Sequence, residues 1–202
     1  MSATIKQTSF DTIDLMNRVI RLLLWLDGFF FFSIGLLGPI YAIFVEQIGG
    51  DILDAGITFA VYSVGIGVFA WLVSRLEDRI KYQPTFLLIG YTIRALGIAG
   101  YLFVHSPTQL FLVQAVLAIG IALNSPVYDA LFSRNIDQNK SARQWGDWEA
   151  MQYITTGISA IVGAWIADYF GFRALLITMF VVALLSPVIL FFNQSRLDEA
   201  NR

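Results

Sequence analysis

Three ionisable residues inside long apolar runs are the chemically informative feature of this sequence. Asp27 lies in the first run, Arg94 near the middle of the third, and Asp129 about one turn before the end of the fourth. A charge in hydrocarbon costs several kcal/mol, so such side chains face protein, a partner or water. The pattern predicts that Arg94 turns inward to an acid, with Asp27 or Asp129 as its partner. A solute contact is the alternative role.

Other chemistry is restricted by composition. The chain has no cysteine and one histidine. Disulfides, thiolate sites and ordinary transition-metal clusters are therefore not expected. We predict no metal, no cofactor and no catalytic residue, so an enzyme is the least favoured class. We expect no nucleic-acid partner.

The apolar runs themselves predict a membrane protein. Of the 202 residues, 57% are hydrophobic and only 14% are charged, whereas a soluble domain carries about 25% charged residues. A helix that crosses the hydrocarbon core needs about 20 residues. Six runs reach that length: about 20–44, 54–75, 84–104, 107–132, 147–169 and 172–193. The predicted fold is an all-α polytopic bundle of six transmembrane helices, with 1–202 as one domain.

Lysine and arginine predict the orientation of this bundle. Eleven of them fall on the side that holds both termini, and only Arg173 falls on the other. The positive-inside rule places the rich side in the cytoplasm. We therefore expect a multi-pass protein of the cell (plasma or inner) membrane with both termini cytoplasmic. Trp145 and Trp148 fit an aromatic belt near that side.

The turn between the second and third runs carries a dense charged motif, SRLEDRIKYQ, with Ser74, Asp78, Arg79 and Lys81. It resembles the signature of the major facilitator superfamily: Gly, three residues, Asp-Arg, one residue, Gly. Ser74 stands where the first Gly is usual and Lys81 where the second is usual. In the family this turn acts as a cytoplasmic latch, so the resemblance implies that role for these four residues.

Two further stretches extend the resemblance to nearly the whole chain. GLLGPIYAIFVEQIGG is similar to the family's first helix and outer loop. ARQWGDWEAMQYITTGISAIVGAWIADYFGFRALLITMF is similar to its fifth helix and the turn into its sixth. Gln114 departs from the pattern, because many proton-coupled members have arginine there. The family has twelve spans, so the chain resembles its N-terminal half, either as a half-size member or as part of a longer protein.

The resemblance implies a solute transporter that works by alternating access. The halves of this fold are parallel repeats about an axis along the membrane normal, so two copies in a closed homodimer could rebuild the twelve-helix shape. Its partners would be the bilayer, an unknown small solute and a second copy. A non-transporting scaffold or subunit is the alternative, suggested by the altered latch, Gln114 and the half size.

Small residues recur on one face of the second and fifth runs, the helices that meet across the halves in the family. Close packing through small residues drives helix association in lipid, although packing inside one bundle explains the stripes equally well. The predicted dimer interface comprises Gly56, Ala60, Ser63, Gly67, Ser159, Gly163 and Ala167. Polar residues predicted to line the solute cavity are Asp27, Tyr62, Arg94, Gln114, Asn124, Gln152 and Tyr153.

Overall fold

The computed structural model describes residues 2–77 and 83–200, which form helices and short connections without any strand. The α-helices are α1 (Ser2–Leu37), α2 (Tyr41–Gln47), α3 (Ile52–Glu77), α4 (Gln83–Gly100), α5 (Pro107–Asn135) and α6 (Ser141–Ala200). Short 3-10 turns lie at Gly38–Ile40, Tyr101–Phe103 and Gln138–Lys140. The all-α membrane class is confirmed.

Local sequence explains where several helices begin and end. Pro39 cannot donate a backbone hydrogen bond, and the first predicted span changes there to a 3-10 turn before α2. At the start of α3, the Asp54 amide donates to the Asp51 carboxylate at 2.8 Å, and the Asp51 amide donates to the Asp54 carboxylate at 3.1 Å. This reciprocal cap satisfies amides that have no partner inside the helix.

The 60-residue helix α6 is broken at Gly171. Its φ of 81° and ψ of 165° lie in a region that is open almost only to glycine. We name the two limbs α6a (141–170) and α6b (172–200). An unbroken helix of this length would measure about 90 Å, three times the hydrocarbon thickness of about 30 Å.

Contacts with α1 show that the two limbs run in opposite directions. Along α1, Gly28 lies next to Met151, and Leu36 lies next to Gly163, so α6a is parallel to α1.

For α6b the order is reversed. Ser186 donates to the carbonyl of Leu26 at 2.7 Å, and Ser33 donates to the carbonyl of Met179 at 2.8 Å. The chain therefore folds back at Gly171. Five helices of the described chain are long and apolar enough to cross a membrane, counting α6 once. The six-span count stays a prediction, which the reversal favours.

Helices α4 and α5 form a second closely packed pair. A Cβ atom built at Gly97 would lie 2.7 Å from Leu117, and one at Gly120 would lie 2.9 Å from the backbone nitrogen of Arg94. The absence of side chains at these glycines lets the helices approach and leaves room for the stem of Arg94.

The two small-residue stripes have different environments. Ser159 is fully buried, and Gly163 faces the backbone of Leu36, while Ala167 packs against the core. The prediction that this stripe faces a second copy is wrong for Ser159 and Gly163, because α1 occupies the space. We withdraw Ala167 as well, because it packs inside the same bundle.

The stripe on α3 is open instead. Gly56, Ala60, Ser63 and Gly67 are all exposed, and nothing lies within 4 Å of a Cβ built at Gly56 or Gly67. The same helix exposes large apolar side chains, including Phe59 at 60% and Val64 at 65%. The described helices leave this face of α3 uncovered.

We expect Gly163→Ala to lower the free energy of unfolding by about 1–3 kcal/mol, the usual cost of overpacking, because the new methyl group meets the Leu36 backbone. Gly157→Ala is the matched control, since a Cβ there meets nothing within 4 Å and alanine favours a helix interior. Thermal unfolding of both variants in detergent measures the difference. Equal melting temperatures would contradict the α1–α6a packing.

Candidate functional site

An ion pair between α1 and α4 lies at the centre of the bundle. Nη1 of Arg94 is 3.8 Å from Oδ1 of Asp27. Both residues are buried, with 4% and 5% of their surface exposed. The predicted pairing of Arg94 is confirmed, with Asp27 as the partner.

Two neutral donors hold the Asp27 carboxylate. The Tyr91 hydroxyl donates to Oδ1 at 2.7 Å, and the Trp148 indole N–H donates to Oδ2 at 3.2 Å. Tyr91 lies three residues before Arg94, on the same face of α4, whereas Trp148 belongs to α6a. The carboxylate thus connects three helices, and hydrogen bonds to both oxygens stabilise its charge.

The Arg94 guanidinium lies on aromatic faces. Its Cζ is 4.1 Å from the centre of the Phe30 ring and 5.2 Å from that of Tyr91, within the range of cation–π attraction. Its Nε and Nη1 are buried and have no hydrogen-bond partner among the described residues. Ring contacts and the charge of Asp27 stabilise this cation.

A cavity of about 230 Å³ opens beside the ion pair. It contains the two charged partners, polar groups of α5 and several aromatic rings. Its lining residues are Asp27, Phe30, Phe31, Ile34, Tyr62, Arg94, Ile121, Asn124, Ser125, Tyr128, Asp129 and Trp148. We call this the charged cavity.

A neighbouring cavity of about 200 Å³ contains Gln114 and shares Tyr62 with the charged cavity. Nε2 of Gln114 donates to the Tyr41 hydroxyl at 2.6 Å, which donates to Oγ1 of Thr58 at 2.8 Å. Thr58 in turn donates to the carbonyl of Asp54 at 2.7 Å. This chain of hydrogen bonds ties α5 to α3 and satisfies Gln114 within the protein.

The predicted cavity residues separate into three groups. Asp27, Tyr62, Arg94 and Asn124 line the charged cavity, and Gln114 lines its neighbour. The other two candidates are elsewhere.

Gln152 and Tyr153 line neither cavity, and Tyr153 is 71% exposed on the surface of α6a. Helical spacing explains the correction for Tyr153: the face of α6a that meets α1 carries Ser159 and Gly163, and Tyr153 lies outside it.

Sequence reasoning missed Tyr91, Tyr128 and Trp148. Tyr91 could have been found from its spacing to Arg94, one helical turn away. Trp148 was predicted as part of the aromatic belt, but its N–H reaches Asp27. A partly buried tryptophan with a polar partner cannot be distinguished from an interfacial one by position alone.

Of the four predicted latch residues, the structure describes Ser74. Ser74 is exposed and donates to the carbonyl of Trp71 at 3.2 Å. Asp78, Arg79 and Lys81 lie outside the described residues.

A larger groove of about 510 Å³ lies between α1 and the limbs of α6. Apolar side chains such as Leu24, Phe29 and Val182 dominate its lining. Its composition suits lipid chains, so the charged cavity is the better candidate for a polar solute.

A bundle with a buried ion pair beside an internal cavity fits a membrane transporter, and comparison with known proteins decides the family. The sequence model of the Major Facilitator Superfamily matches residues 23–202. The chain belongs to the Major Facilitator Superfamily. Members of this superfamily are transporters rather than enzymes, and the chain is a multi-pass membrane protein.

Relatives within the superfamily differ in length. The chain is 21% identical over 160 residues to the uncharacterized MFS-type transporter YitZ of Bacillus subtilis (strain 168), covering 79% of this chain and 97% of YitZ. It is 23% identical over 158 residues to the multidrug resistance protein MdtG of Enterobacter lignolyticus (strain SCF1), covering 76% of this chain and 38% of MdtG. The match therefore spans almost all of one relative and less than half of the other.

The fold is also similar to a solved transporter structure. The crystal structure of the POT family transporter PepTSo superposes with a TM-score of 0.71 at 16% identity. The match covers 89% of this chain and 38% of PepTSo. The described helices therefore have the fold of this transporter, and they correspond to less than half of its length.

We expect Arg94→Leu to lower the free energy of unfolding by about 3–5 kcal/mol, because it leaves the buried Asp27 carboxylate without its counter-charge. Adding Asp27→Asn should restore part of the loss. Adding Asp129→Asn instead should restore none, since Arg94 pairs with Asp27. Thermal unfolding of the two double variants measures this, and rescue by Asp129→Asn would contradict the assigned pair.

Proposed function

We propose that this chain is one protomer of a transporter that moves a small polar solute by alternating access. The charged cavity carries this proposal, because an apolar bundle there holds a buried ion pair and an amide oxygen without a partner among the described residues, next to the exposed acid Asp129. Ionisable groups inside a membrane bundle mark solute or ion pathways.

The transporting unit is a parallel homodimer in this proposal. The exposed stripe on α3, with open space above Gly56 and Gly67, supports it, because small residues favour contact between helices in lipid. The partner helix would be α6a of the second copy. The small-residue stripe predicted on α6a packs against α1 of the same chain. The dimer contact would therefore use the exposed face of α6a, which carries Gly157, Ile161 and Ala164.

We expect Gly67→Leu to shift the dimer towards monomer without lowering the melting temperature, because the added side chain points away from the rest of the chain. Thr92→Phe adds similar bulk to an exposed position of α4 and should leave the dimer intact. Single-molecule photobleaching of labelled protein in lipid bilayers counts the copies. A monomeric wild type, or equal effects of the two substitutions, would refute this interface.

Uptake into proteoliposomes tests transport itself. A panel of radiolabelled amines, amino acids, carboxylates and sugars is offered to the wild type and to Gly67→Leu. We expect accumulation of at least one class by the wild type and none by the monomeric variant. Dimers that take up no solute would favour the alternative hypothesis, in which the protein is a non-transporting scaffold or subunit.

The proposed topology has six spans and cytoplasmic termini. The chain has no native cysteine, so an introduced cysteine is the single thiol of each variant and its labelling reports the accessibility of that position. We expect Asp51→Cys to react with an impermeant maleimide added outside cells, and Asn139→Cys to react only after permeabilisation. These positions precede α3 and α6 on opposite sides of the proposed bundle, and the reverse pattern would overturn the orientation.

A further inference from the structure

The lining of the charged cavity carries more acid than base. Its described lining residues include two acids, Asp27 and Asp129, and one guanidinium, that of Arg94. The Asp27 charge is balanced by Arg94 at 3.8 Å. Asp129, which is exposed, forms no ion pair within the described part of the chain. The described part of the chain therefore supplies no counter-charge to one acid at the cavity.

Aromatic rings in the cavity lining and directly behind it already stabilise one cation. Phe30 and Tyr91 hold the Arg94 guanidinium on their faces. Four further rings line the cavity, those of Phe31, Tyr62, Tyr128 and Trp148. The ring centre of Trp148 is 6.3 Å from that of Phe31 and 6.5 Å from that of Tyr128. Such rings attract an ammonium group through their negative faces.

Two buried oxygens at the cavity have no donor. Oδ1 of Asn124 and the hydroxyl of Tyr128 lack hydrogen-bond partners among the described residues, and these residues are 1% and 2% exposed. Buried polar atoms are normally paired, and an unpaired one signals a missing water, ion or ligand. Both oxygens accept from an N–H donor.

We propose that the charged cavity binds a small organic cation, a primary or secondary amine. Asp129 would supply the counter-charge, the rings of Phe31, Tyr128 and Trp148 the cation–π surface, and Asn124 an acceptor. An anion is disfavoured, because Arg94 is the one guanidinium among the described lining residues and Asp27 lies 3.8 Å from it. This inference rests on the proposed transport function, for which it names the solute class.

Equilibrium binding separates the charge of the ligand from its shape. Benzylamine, benzyl alcohol and benzoate have nearly the same size and differ in charge. Isothermal titration of the full chain in nanodiscs should show benzylamine binding about tenfold more tightly than benzyl alcohol, a typical gain for a charged, ring-lined site. Benzoate should bind more weakly still. Equal affinities, tighter benzoate or no binding of benzylamine would overturn the proposal.

Variants of Asp129 locate the site. Asp129→Asn should remove most of the preference for benzylamine and leave benzyl alcohol unchanged, whereas Asp129→Glu should retain the preference. Asp168→Asn neutralises an exposed acid of α6a that does not line the cavity, and it should have no effect. Melting temperatures check that each variant is folded. A preference that survives Asp129→Asn would refute the assigned counter-charge.

Binding and transport fail in distinguishable ways. Benzylamine binding without uptake of any solute would support the cation site and refute the transport function. Uptake confined to anions or sugars would support transport and overturn the assignment of the solute as a cation.

Discussion

The structure depends on keeping two opposite charges inside an apolar bundle. Charges about 4 Å apart attract each other by roughly 4 kcal/mol in partly screened surroundings. Removing each ion from water costs several kcal/mol, so Asp27 and Arg94 together add little net stability. The environment offsets part of this cost through the hydroxyl of Tyr91, the indole of Trp148 and the ring of Phe30. The proposed solute site would give this pair a role that does not depend on net stability.

The sequence could predict the all-α membrane class and the ion pair because both rest on strong local signals. An arginine in the middle of an apolar run has few ways to be satisfied, and the acids at comparable depth were few. The fold-back at Gly171 was also readable, because a glycine separated two apolar runs. The two donors to Asp27 were less readable, since tyrosine and tryptophan also occur at membrane interfaces and in cores.

The small-residue stripes show why the remainder was not predictable. Gly67 and Gly163 have the same side chain and similar four-residue spacing to small neighbours. One meets open space and the other meets the backbone of Leu36. The spacing of small residues shows that a helix face carries only small side chains. The element that packs on this face depends on how the helices are arranged around α1. That arrangement is a tertiary property, and no local pattern in α6 encodes it.

The site lies at a seam between two tightly packed helix groups. Two serine side chains and Gly163 hold α1 against α6, and close contacts at Gly97 and Gly120 hold α4 against α5.

The Asp27 carboxylate joins these groups, since it belongs to α1 and meets Arg94 and Tyr91 of α4 as well as Trp148 of α6a. The charged cavity opens along the same seam, with Asn124 and Asp129 on the α5 side. A solute that binds there contacts both groups at once. If the solute is the proposed cation, its charge would act on the ion pair that joins the two groups. Such a charge could favour one arrangement of the helices over another, and a ligand needs this difference to shift a conformational equilibrium.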